Sequence, residues 1–126
     1  MKRLFLLLAL AAPAHAAPPA SFWAALHQVE TSGRHGPILG DNGRSLGPLQ
    51  ISRAYFTDSR VGGTYEQVVE LGFARKVVSA YLQRYAPKAW AAGDVETLAR
   101  IHNGGPAGAR KAATVNYGAK VQRLCK

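Results

Sequence analysis

Cysteine is almost missing: Cys125, beside the C-terminus, is the single one in 126 residues. No internal disulfide and no cysteine-based metal site can form, and Cys125 reads as a tolerated terminal thiol. Acidic residues are few as well, 7 against 16 Lys and Arg. No repeat or low-complexity run is present, which excludes collagen-like, coiled-coil and solenoid architectures. Long apolar runs are also lacking, because the longest, Leu4 to Ala12, stops at Pro13 after nine residues. A membrane span needs about 20.

That run follows the basic start Met1-Lys2-Arg3 and precedes the small-residue pattern Ala14-His15-Ala16, so residues 1–16 are expected to be a secretory signal peptide. No Cys stands at the cleavage point to take a lipid anchor. Without these residues the chain has 110 residues and 14 basic against 7 acidic side chains, a formal charge of +7. Residues 17–126 are long enough for one domain, and their spread of aliphatic and aromatic residues excludes a disordered tail.

Several helices are readable. Ser21 offers an N-cap to one running to about Thr31, with Phe22, Leu26 and Val29 on its apolar face and Trp23 widening it. The five glycines from Gly33 to Gly47, with the Asp41-Asn42-Gly43 turn, predict a small irregular hairpin. A further loop is expected to end at Gly62-Gly63. Thr64 and Gln67 form a capping box before the longest periodic segment, where Val69, Phe73, Val77, Tyr81 and Tyr85 recur every four residues up to Pro87. Gly72 inside it suggests a close helix contact. Asp94 caps a helix ending at His102-Asn103-Gly104, and Thr114 caps a last one carrying Tyr117, Val121 and Leu124. The expected fold is mainly α, four to five helices around a central helix with one small β-hairpin.

The scarcity of carboxylates narrows the chemistry. Glu66, Glu70 and Glu96 fall on or near polar helix faces, and Asp94 is explained by capping. Glu30, Asp41 and Asp58 remain. Glu30 lies where the helix's own partial negative charge disfavours a carboxylate, with Trp23 and Leu26 behind it to desolvate it, and both effects favour the protonated, proton-donating form. An ordinary exposed Glu near a helix end would look the same. Asp-Asn-Gly is equally a common turn, but a helix-end Glu followed eleven residues later by a hairpin Asp is the pairing a glycosidase needs: a shielded acid facing a solvated carboxylate. Asp58, after an aromatic pair, is the reserve for the second carboxylate.

Val29-Glu30-Thr31-Ser32-Gly33, Gly36-Pro37-Ile38, Ser45-Leu46-Gly47-Pro48-Leu49-Gln50-Ile51, Ala54-Tyr55-Phe56-Thr57-Asp58 and Ala99-Arg100-Ile101-His102-Asn103-Gly104-Gly105-Pro106 resemble the invertebrate-type lysozymes, the destabilase group. The match runs in order from Trp23 to Leu124. The resemblance implies an α+β lysozyme-like fold and hydrolysis of the β-1,4 bond between N-acetylmuramic acid and N-acetylglucosamine in peptidoglycan, or of chitooligosaccharides. It assigns Glu30 as proton donor and Asp41 as nucleophile or cation-stabilising carboxylate. It places Ser52, Arg53, Ala54, Tyr55, Phe56, Thr57, Asp58, Tyr81, His102, Asn103 and Gly104 along the substrate cleft, although Tyr81 fits the apolar stripe equally well and His102 could simply cap its helix. Family members are usually rich in disulfides, so this chain must rest on its core and loops. Thr31 interrupts the usual Glu-Ser-Gly triplet and is expected to shift the loop leading to Asp41. Sequence spacing pairs no Ser with a His, so isopeptidase activity is not expected.

Two other readings stay open. A lytic transglycosylase of the same superfold would use Glu30 alone, against which Asp41 argues. A non-catalytic basic binder of cell walls would use only the charge. No basic run interleaved with aromatics points to nucleic acid, and no lysine-rich amphipathic helix points to stable membrane insertion. A secreted, cofactor-free and metal-free monomer is expected.

Overall fold

A computed structural model describes residues 17–126. The expected signal peptide, residues 1–16, lies outside them. Among the described residues, the order is α1 (Ala20–Thr31), β1 (Leu39–Gly40), β2 (Ser45–Leu46), β3 (Ile51–Ser52), α2 (Arg53–Ser59), α3 (Leu71–Tyr85), α4 (Pro87–Ala92), α5 (Val95–Gly104) and α6 (Val115–Leu124). Short 3₁₀ turns occupy Tyr65–Val69, Gly108–Arg110 and Ala112–Thr114. The fold is mainly α with one small antiparallel sheet in the order β1-β2-β3.

α1 begins two residues earlier than the Ser21 cap implies. Pro19, held extended, takes the cap position, and its carbonyl accepts from the Phe22 N–H, so Ser21 falls inside the first turn. At the other end Ser32 and Gly33 turn left-handed, and their N–H groups donate to Gln28 and His27. Thr31 is buried and its hydroxyl donates to the Pro48 carbonyl at 2.9 Å. The residue that interrupts the triplet therefore ties the end of α1 to the loop after β2.

The hairpin gains a third strand. Leu39 pairs with Leu46, and Ser45 with Ser52. Gly47 makes the second turn feasible: its φ is +84°, and a Cβ there would lie 2.3 Å from the Val68 carbonyl oxygen. Ser52 ends β3 and accepts from the Tyr55 N–H at 3.2 Å, which starts α2 where a loop was expected.

The Gln67 side chain accepts from the Thr64 N–H at 2.7 Å, but this box opens the 3₁₀ turn and not α3 itself. Val68 rather than Val69 is buried as a result. In α3 the buried stripe is Ala74, Val77, Val78, Tyr81 and Leu82, and Gly72 is exposed, so no close helix contact forms there. Pro87 both stops α3 and occupies the first turn of α4, a helix the stop signal concealed. Asp94 caps α5 through the Thr97 N–H. Thr114 does not cap α6: its hydroxyl turns inward, donating to Gly108 and Lys111 carbonyls and accepting from Arg100. Leu124 is 46% exposed and lies off the apolar face.

α3 packs on α2, α4 and α5, and α6 covers α5 and α1. The core between them holds Phe22, Leu26, Leu49, Ile51, Leu82 and Leu98, all fully buried. Truncating one of these leucines to Ala would cost about 2–5 kcal/mol. With no disulfide available, this core and the tie at Thr31 hold the sheet against the helices, and Thr114 ties the segment between α5 and α6 to α5.

Candidate active site

Glu30 sits in the last turn of α1, its side chain 15% exposed. Its neighbours come from the far end of the chain, not from its own helix. Tyr117 of α6 donates its hydroxyl to Glu30 Oε1 at 2.5 Å. His102 of α5 places Nε2 3.5 Å from the same oxygen. Trp23, expected behind Glu30, packs instead against Phe22 and Trp90.

Burial, then the charge of Glu30 and the hydrogen bond to it, push the Tyr117 phenol well above its ordinary range, so it stays a donor. Burial does the same to Tyr55, with Tyr81 and Glu30 adding to it. The Tyr55 hydroxyl lies 2.9 Å from His102 Nδ1. His102 is thus flanked by the Tyr55 hydroxyl at Nδ1 and by the Glu30 carboxylate near Nε2. Tyr55 is held by stacking on Tyr81, with ring centroids 3.7 Å apart. Burial raises the Tyr81 phenol to about 12.

In front of Glu30 lies a cavity of about 290 Å³ lined by Glu30, Asp41, Ser45, Gln50, His102 and Asn103. A neighbouring lobe of about 280 Å³ shares most of these residues and extends past Ser52, Ala54 and Tyr55 to Asp58 and Tyr81. Together they form one cleft between the sheet and α5. Asp41 reaches it because Asp41, Asn42 and Gly43 all adopt left-handed backbone in the turn from β1 to β2, a conformation Asp and Asn tolerate. Asp41 is exposed, as a solvated carboxylate opposite a shielded one should be.

Most of the residues singled out in the sequence meet here: Glu30, Asp41, Ser52, Ala54, Tyr55, Asp58, Tyr81, His102 and Asn103. Four do not line the cleft. Arg53 turns to the Tyr65 ring and Glu66, Phe56 packs with Tyr65 and Phe73, and Thr57 is exposed on α2. Gly104 offers its carbonyl to Lys111, while Gly105 takes the cleft position. A helix of seven residues presents only part of its surface to the cleft, which a contiguous motif cannot reveal. Ser45, Gln50 and Tyr117 were missed. Tyr117 had a visible signal, a phenol on an otherwise aliphatic stripe, but nothing in the sequence named its partner.

No family model matches the chain. Among curated proteins, lysozyme 1 of Crassostrea virginica is 39% identical over 64% of this chain and 45% of its own length. The lysozyme of Meretrix lusoria is 34% identical over 64% of this chain and 67% of its own. The matched stretch thus spans about half to two thirds of these relatives. The crystal structure of Tapes japonica lysozyme superposes with a TM-score of 0.72 at 29% identity, covering 88% of this chain and 98% of that one. The helices, the small sheet and the cleft between them are those of the lysozyme-like fold, and the chain belongs to the invertebrate-type lysozyme family.

Proposed function

We propose that residues 17–126 form a secreted, monomeric glycoside hydrolase that cleaves the β-1,4 bond between N-acetylmuramic acid and N-acetylglucosamine in peptidoglycan, once residues 1–16 have served as the signal peptide. The observation that carries this reading is the shared cavity of Glu30 and Asp41, with Glu30 shielded and Asp41 exposed. Curated relatives named lysozyme support it.

Glu30 is the general acid. Tyr117 and His102 both address Oε1, so Oε2 is the oxygen that carries the proton given to the departing glycosidic oxygen. As that bond breaks, positive charge grows on the anomeric carbon, and the Asp41 carboxylate stabilises it or bonds to it. Water completes the hydrolysis, returning a proton to Glu30. Asp58, in the adjoining lobe, is the reserve for the second carboxylate. A lytic transglycosylase would need no second carboxylate, and Asp41 on the same cavity favours hydrolysis. Mass spectrometry of digested peptidoglycan distinguishes the readings. A reducing muramic acid end is expected, an anhydro end would mean transglycosylase, and no product would mean a binder.

A further inference from the structure

A second cavity, of about 550 Å³, is distinct from the cleft. It lies on the opposite side of the sheet, and Ser52 borders both. Paired residues of an antiparallel sheet share a face, and neighbours along a strand face opposite ways. Ser45 and Ser52, which pair, line the cleft, whereas their chain neighbours Arg44 and Arg53 line the second cavity with the paired Leu39 and Leu46. Tyr65 and Glu66 close its far side.

The lining combines features a sugar chain would not need. Leu39 is 67% exposed, one of the few large apolar side chains in that state among the described residues. Arg44 is exposed and makes no ion pair among the described residues. Arg53 lies over the Tyr65 ring and meets Glu66 at 3.8 Å, a loose exposed pair that a better ligand can replace at little cost. The cavity therefore presents an apolar shelf, two guanidinium groups suited to carboxylates and one carboxylate suited to an ammonium.

We infer that this cavity binds the stem peptide of peptidoglycan, next to the cleft that takes its glycan. The inference rests on the wall-hydrolase reading. A stem peptide of N-acetyl-L-Ala-γ-D-Glu-L-Lys-D-Ala-D-Ala type carries alanine methyls, two carboxylates and one ammonium, the complement of Leu39 and Leu46, the two arginines and Glu66. The continuity at Ser52 lets one substrate reach both cavities.

The test titrates the protein with that synthetic peptide, read by NMR. Shift changes at Leu39, Arg44, Leu46 and Tyr65 are expected, and Arg44→Ala should weaken binding about tenfold through loss of a charge-assisted contact. Glu66→Gln should weaken binding of the Lys peptide but not of its ε-acetylated form. Cleavage of a peptide-free chitooligosaccharide should be unchanged in Arg44→Ala, which reports an intact fold and cleft. Absence of binding, shifts confined to the cleft, or equal affinity in Arg44→Ala and the parent would overturn the inference. Peptide binding without any wall cleavage would remove the hydrolase reading and leave the site standing.

Discussion

Three tyrosines shape the surroundings of Glu30, each by staying neutral. Tyr117 donates to the carboxylate, Tyr55 orients His102, and Tyr81 supports Tyr55 from below. Because the Tyr81 phenol is raised to about 12 in the fold, from an unfolded value near ~10, neutral Tyr81 stabilises the native state fully below that unfolded value. The contribution is lost as pH climbs through the folded value. Denaturation midpoints should therefore hold up to about pH 10 and fall above it, and Tyr81→Phe, which cannot ionise, should make that fall shallower, with the raised phenols of Tyr55 and Tyr117 supplying the rest. An unchanged alkaline profile in the Phe variant would show that Tyr81 is not the group concerned. The second carboxylate is testable at the same scale. Asp41→Asn should lose most lysis and Asp58→Asn much less. If the order is reversed, the two exchange roles.

Elements position these residues through a few tight places. Gly47→Ala would force a side chain into left-handed backbone and against the Val68 carbonyl, and the strain alone costs about 1–3 kcal/mol. Thermal unfolding should show the loss, together with weaker activity, because the same turn carries Gln50 into the cleft. The elements also separate what was legible in the sequence from what was not. α3 and α5 were readable because their apolar stripes span several turns, and Asp94 announced α5. α2 and α4, of seven and six residues, are too short to display a period, and Pro87 reads as a stop when it is also a start. Thr114 fits a cap by type, yet buried carbonyls at Gly108 and Lys111 claim its hydroxyl. Glu30 stood out as a carboxylate at a helix C-terminus, and Asp41, which its turn alone would explain, gained weight from its spacing to Glu30. Tyr117, 87 residues from Glu30, could be placed beside it only by the packing of α6 on α1.

At the scale of the whole molecule, charge and catalysis are separable. The sequence carries 16 basic against 7 acidic side chains, and anionic wall polymers should attract it at long range. Raising ionic strength shortens that reach from ~10 Å at 0.1 M to ~3 Å at 1 M. Lysis of whole walls should fall steeply with salt, while cleavage of a small neutral chitooligosaccharide should barely change. Parallel losses on both substrates would place the effect in the fold or the catalytic pair. The central claim is that Glu30 supplies the proton in a two-carboxylate cleft. Replacing it by Gln keeps the shape and one acceptor oxygen but removes the transferable proton. Release of reducing ends from purified peptidoglycan by Glu30→Gln, beside an unchanged melting temperature and unchanged wall binding, is the most direct measurement. A drop of at least ~100-fold is expected, and turnover equal to the parent would contradict the assignment.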